Sequence, residues 1–272
     1  MMKPITLIMI LVALLVLSAA ALFKIRYDFN LTTLKLDLMT EAHRHEALPY
    51  RTYMPERAQE GKRPLILYLQ SGAGRGDDNL GQLRQEMWRL IEVQQQYALD
   101  YMILAPQCPD GVEWNNAQSG SPPYPNLDFT RLEESERFRQ LLQLVQRYID
   151  QGIADPDRIY LVGISMGATA AWEFLYRHPD KFAAALIMNG RSDPGVAQAI
   201  AKTPIWLGHG EKDTVAPIAN STAMSSALAQ HDADLVFRTF DAGHQIANVA
   251  ITEESLGWIL TKHKNSSWNR HD

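Results

Sequence analysis

Apolar residues along this chain fall into two kinds of pattern. Ile159-Tyr160-Leu161-Val162 is an almost unbroken run without the alternation of a half-solvated strand, which suits a parallel strand covered on both faces. Leu65 to Leu69, Tyr101 to Ala105, Ala184 to Met188, Pro204 to Leu207 and Leu235 to Phe240 predict further short strands. Between them, apolar positions recur at helical spacing. These are Leu80, Leu83, Met87 and Ile91, then Phe138, Leu141, Leu142, Val145 and Ile149, then Ala168, Ala171, Trp172 and Leu175, which Pro179 stops. A helix is expected over roughly Pro217 to Gln230, and a last one holds Leu256, Trp258, Ile259 and Leu260. Residues 27 to 62 are polar and mixed. There the partial alternation of Leu31, Leu34, Leu36 and Leu38, and the short stretch Tyr50 to Tyr53, predict edge strands. Strands alternating with helices imply an α/β fold, a mostly parallel twisted sheet with helices on both faces.

The N-terminus changes this picture. Ile5 to Phe23 is apolar except for Thr6 and Ser18, with Lys3 before it and Lys24 and Arg26 after it. Its length lies between a long signal-peptide core and a membrane-spanning helix of about 20 residues. Ser18 to Ala21 would suit a signal peptidase, whereas the hydrophobicity up to Phe23 favours an uncleaved anchor. Either way the expectation is an N-terminal hydrophobic helix, a signal peptide or single membrane anchor over 1–26. One domain over 27–272 would then lie outside the cytoplasm, anchored or secreted. Composition adds exclusions. With 272 residues, 46% hydrophobic and net charge -5, the chain is long enough for one ample core and offers no basic stripe for nucleic acid. The single cysteine, Cys108, excludes intrachain disulfides and a cysteine-based metal cluster. His43 and His45 lack further clustered ligands, so no metal is expected.

Candidate chemistry centres on Gly163-Ile164-Ser165-Met166-Gly167, between a predicted strand and a predicted helix. This is the G-x-S-x-G pattern of a turn so tight that side chains at the glycine positions would collide with the neighbouring strand and helix. It would expose Ser165 and aim the Met166 N–H at charge developing during acyl transfer. A serine hydroxyl needs a base, and a histidine serves if a carboxylate fixes its tautomer. Asp213 and His244 each follow a predicted strand, as Ser165 does, so all three belong at the rim where loops converge. Asp241 lies too near His244 in sequence to be preferred as the acid, and His209 reads as a packing or hydrogen-bonding residue. The stretch Gln70 to Asn79 is glycine-rich but lacks the G-K-[ST] ending of a phosphate loop and the spacing of a dinucleotide fingerprint, so no cofactor is expected. An oxyanion loop suits it better, because free backbone N–H groups must come close to a substrate oxygen there. The long loop after Pro109 carries Trp114 and Tyr124, candidates for lining a substrate pocket.

Taken together, Leu69 to Asn79, Ala105-Pro106-Gln107-Cys108-Pro109, Asp155-Pro156-Asp157-Arg158-Ile159-Tyr160, Gly163 to Gly167, and His209-Gly210 with Asp213 resemble the α/β-hydrolase superfamily. The likeness is to its esterase and polyhydroxybutyrate-depolymerase-like branch, which is also similar to prolyl-oligopeptidase catalytic domains. It covers about Arg63 to His244. It implies Ser165 as nucleophile, Asp213 as acid, His244 as general base, and Met166 and Gly72 as backbone donors to the oxyanion. Two positions depart from the pattern: Gln70-Ser71 stands where His-Gly usually opens the oxyanion loop, and Ala168 stands where a third glycine is common. The first leaves Gly72 and Ala73 as alternative second donors. The function implied is a serine hydrolase that cleaves carboxylic esters, of small molecules or derived from polymers, through an acyl-enzyme. A peptidase or acyltransferase with the same triad, or an anchored binding protein on a hydrolase fold, are the alternatives.

Overall fold

In the computed structural model the described residues are 30–55, 61–118 and 120–264, with four single positions ahead of residue 30. Apart from such single positions, the apolar segment Ile5 to Phe23 lies outside them. Among the described residues no helix is long and apolar enough to cross a membrane.

An eight-stranded sheet runs in the order β1-β2-β4-β3-β5-β6-β7-β8. Its strands are β1 (Glu41–His45), β2 (Leu48–Tyr53), β3 (Arg63–Leu69), β4 (Met102–Pro106), β5 (Ala154–Ile164), β6 (Ala184–Met188), β7 (Ile205–Gly210) and β8 (Leu235–Phe240). β1 and β2 pair antiparallel, as do β2 and β4, whereas every pair from β4 to β8 is parallel. The helices are α1 (30–39), α2 (Gln85–Tyr97), α3 (Glu136–Asp150), α4 (Met166–Arg177), α5 (Ala197–Ile200), α6 (Ala219–Ala229), α7 (Ala247–Ala250) and α8 (Glu253–Leu260).

The unbroken apolar runs are explained by two cores, one on each face. Leu65, Leu67 and Leu69 of β3, with Ile159 and Leu161 of β5, point to the core beneath α3, α4 and α6. Ile66, Tyr68, Tyr160, Val162 and Ile164 point the other way, under α1, α2 and α8. A strand whose side chains all find apolar neighbours has no solvent face to keep polar. Each such leucine or isoleucine contributes about 1.5–3 kcal/mol on burial. The edge strands β1 and β8 are the ones with exposed positions. Two helix starts carry side-chain caps: the Ser135 side chain accepts from Arg137 N–H at α3, and Thr252 and Ser255 form a reciprocal capping box at α8.

Three expectations are corrected. Tyr50 to Tyr53 belongs to β2, which is not an edge strand but lies between β1 and β4 with every position buried. Residues 30–39 are helical, not an edge strand. Leu31, Leu34 and Leu38 share a helical face that stays exposed, while Leu36 turns inward and is wholly buried. The apolar positions at i, i+3 and i+7 are a helical period that also contains a fragment of alternation. Leu80 and Leu83 likewise precede α2 rather than belong to it, because the Asp78 carboxylate accepts from Leu80 and Gly81 N–H and holds that stretch as a turn.

Candidate active site

β5 ends in a turn held by the absence of side chains. Ser165 has φ 55° and ψ -115°, a strained conformation for a residue with a Cβ, costing on the order of 1–3 kcal/mol. The surroundings impose it. A Cβ on Gly163 would stand 2.5 Å from the Gly167 carbonyl oxygen, and one on Gly167 would stand 1.9 Å from that of Leu69. Neither position tolerates a methyl group, so strand β5, helix α4 and strand β3 approach as closely as backbones allow. The Ser165 N–H donates to Met188 O at 2.9 Å, which ties the turn to β6. Ala168, where a third glycine was the common choice, is accommodated from outside: a Cβ on Gly190 would meet the Ala168 Cβ at 2.6 Å, so the missing side chain has moved to the neighbouring loop.

Ser165, Asp213 and His244 come together at one rim. Ser165 Oγ lies 2.7 Å from His244 Nε2, and His244 Nδ1 lies 2.7 Å from Asp213 Oδ2. The Asp213 side chain is fully buried. Burial opposes its charge, yet hydrogen bonds from His209, His244 and the Val215 N–H outweigh it and hold the carboxyl well below the usual carboxylate range. An ionised Asp213 only accepts, so Nδ1 of His244 carries the proton and Nε2 presents its lone pair to the serine hydroxyl. The loops bearing the two groups touch through glycine: a Cβ on Gly210 would stand 2.1 Å from Gly243 O. Asp241 is exposed and pairs with Lys212 on the surface. His209 is buried with Nε2 on Ala216 O at 2.8 Å and Nδ1 on Ser221 Oγ at 2.7 Å, which anchors the loop behind Asp213.

Asn189 was not singled out from the sequence. It follows β6 in the left-handed conformation (φ 53°), is fully buried, accepts from Gly210 N–H at 2.9 Å and donates to His244 O at 2.6 Å. One amide thus joins the acid loop and the histidine loop. The signal was an Asn-Gly pair directly after a predicted strand, since asparagine tolerates the left-handed region.

Opposite the serine, Gly72–Gly74 forms a 3₁₀ turn. The Gly72, Ala73 and Met166 N–H groups have no protein acceptor among the described residues, and all three residues line a cavity of about 250 Å³ that contains Ser165 and His244. The loop is shaped by distant side chains. Gln107 accepts from Asn79 N–H at 2.6 Å and donates to Asp78 Oδ1 at 2.8 Å, while Arg75 bonds Val112 O and Glu113. Gln70 is buried beneath this turn and its amide has no partner among the described residues. Tyr124 lines the cavity. Trp114 does not: it is fully buried in the core below, its Nε1–H donating to Gln70 O at 3.3 Å. An indole fills so much volume that the core claimed it from a loop that otherwise runs over the surface.

The model of the phospholipase and carboxylesterase family matches residues 126–255. No curated protein matches the chain in sequence. Similar solved structures include a thermostable esterase (23% identity, TM-score 0.71), covering 83% of this chain and 63% of its own length. A carboxylesterase from Mesorhizobium loti is similar over 81% of this chain and 98% of its own (18% identity, TM-score 0.57). A puromycin-hydrolyzing peptidase of Mycobacterium tuberculosis matches 81% of this chain but 38% of its own (14% identity, TM-score 0.58). These are likenesses of fold. With the family model matched over residues 126–255, they support an α/β-hydrolase fold for this chain.

Proposed function

We propose that the protein is a serine esterase in which Ser165, His244 and Asp213 act as a catalytic triad. The single observation that carries this reading is the unbroken relay Ser165 Oγ, His244, Asp213, with both contacts at 2.7 Å. Ser165 Oγ attacks the ester carbonyl carbon while His244 Nε2 takes its proton. Negative charge moves to the carbonyl oxygen, where the Met166 N–H and a donor from Gly72 or Ala73 stabilise it without needing to reorient. The imidazolium, steadied by ionised Asp213, returns the proton to the leaving alcohol, and an acyl-enzyme on Ser165 remains. Water enters, is deprotonated by the same Nε2, and frees the acid.

The test is labelling by a fluorophosphonate followed by turnover of phenyl acetate. Stoichiometric labelling lost in Ser165→Ala, with turnover in the wild type, is the expected result. A wild-type protein that stays unlabelled would leave a binding protein on a hydrolase fold instead. We further propose that the domain works outside the cytoplasm, on the strength of the apolar segment Ile5 to Phe23. Recovery of the full chain in the cytosolic fraction of its own host would refute that placement.

A further inference from the structure

Two arginines line the cavity, and they are not equivalent. Arg75 is spoken for: it bonds Val112 O through Nε and pairs with Glu113 at 2.7 Å. Arg191 also lines the cavity but has no carboxylate within ion-pair distance among the described residues. Its Nε–H donates to Pro125 O at 2.9 Å, and its guanidinium lies 5.7 Å from the Tyr124 ring centre. The terminal nitrogens make no hydrogen bond among the described residues. The backbone places it firmly: Arg191 N–H donates to Thr169 Oγ1 at 3.0 Å, and Thr169 in turn bonds Ser165 O, so one short chain of contacts links the cation to the serine turn.

We propose that Arg191 recognises an anionic group on the substrate, making the preferred substrates esters that carry a carboxylate or phosphate in their acyl or alcohol part. This rests on the esterase reading of the same site and specifies its substrate class. Burial disfavours the charge of this half-buried guanidinium more than the field of Glu113, on the same cavity, supports it, so a ligand anion gains by pairing with it. The planar fork suits two-point contact with carboxylate or phosphate oxygens. The cation–π contact with Tyr124 and the bond to Pro125 O hold the fork before the ligand arrives, so less freedom is lost on binding.

The experiment compares kcat/KM for matched pairs: 4-nitrophenyl valerate against the 4-nitrophenyl monoester of adipic acid for the acyl side, and phenyl acetate against 4-acetoxybenzoate and 4-acetoxyphenyl phosphate for the alcohol side. The wild type should favour an anionic member of one pair by about 10- to 100-fold, chiefly through KM. The arm that shows the preference identifies the side and the anion. Arg191→Gln should collapse the anionic-to-neutral ratio and Arg191→Lys should restore part of it. A role confined to holding Pro125 would lower both members of a pair together and leave the ratio unchanged, which would overturn the proposal, as would a wild type without preference. If no ester is turned over, the esterase reading falls separately, and binding of adipate by calorimetry, present in wild type and weakened in Arg191→Gln, still decides the role of Arg191.

Discussion

Two glycine-dependent turns flank the cavity, one after β5 and one after β3, and they keep their shapes by different physics. In the β5 turn the constraint is steric: a methyl group on Gly163 would strike Gly167 within the turn itself, and one on Gly167 would strike the backbone of β3 at Leu69. In the β3 loop Gly74 and Gly81 also touch closely, a Cβ on Gly81 standing 2.4 Å from Gly74 O, but the loop path depends on side chains far away in sequence. Gln107 bonds Asn79, Asp78 and Gly74, Arg84 bonds Ala73 O, and Arg75 reaches Val112 and Glu113. A turn made by exclusion tolerates no variation in its own residues, whereas one made by long-range hydrogen bonds accepts changes such as Gln70-Ser71 if the distant partners persist.

This contrast is tested most severely at the β5 turn. Ser165→Ala should reduce kcat on phenyl acetate by about 10⁶-fold while thermal unfolding stays close to wild type, since a hydroxyl and not the turn is removed. Gly167→Ala should lose both activity and folding, because its methyl would overlap the Leu69 carbonyl; a soluble variant with native unfolding behaviour would break the steric account. Asp213→Asn should cost about 10⁴-fold in kcat, because an amide leaves the imidazole tautomer unfixed. The same variant has a signature in pH. The folded carboxyl sits below its value in the unfolded chain, about 3.9, so its charge stabilises the fold above that pH and the contribution is lost as acid protonates it. Denaturation midpoints of Asp213→Asn should therefore fall less steeply below pH 4 than those of the wild type.

Effects at the β3 loop should be smaller. Gln107→Leu removes the contact that fixes Asn79 and Asp78, and a displaced oxyanion donor should lower kcat by about 10²- to 10³-fold with KM little changed. Smallest is Trp114→Phe, which should lower stability by a core-packing increment and leave ester preference where it was, since the indole faces the core and not the cavity. A changed preference would mean that the loop transmits core packing to the substrate.

Legibility in the sequence followed the same division. The strands from Leu65 to Leu207 were readable because burial on both faces demands continuous apolar runs, and Ser165 because the glycines two places either side of it mark a turn too tight for side chains. Asn189 went unmarked because its work lies in two bonds to Gly210 and His244, 21 and 55 residues away. Trp114 was misplaced for the same kind of reason: nothing in its loop reveals that the core would enclose it. The helix at 30–39 escaped because ten residues with four leucines satisfy two periodicities at once.

By itself the sequence determined the layered α/β architecture, the positions of its central strands along the chain, the tight serine turn and the residue types able to move a proton. Those follow from local sterics and from the period of side chains along a strand or helix. Only the tertiary structure decided how the acid and histidine loops are joined through Asn189, which arginine on the cavity makes no ion pair and which aromatic ring reaches the cavity. Each of these depends on distances between segments remote in sequence, set by how two cores pack against one sheet.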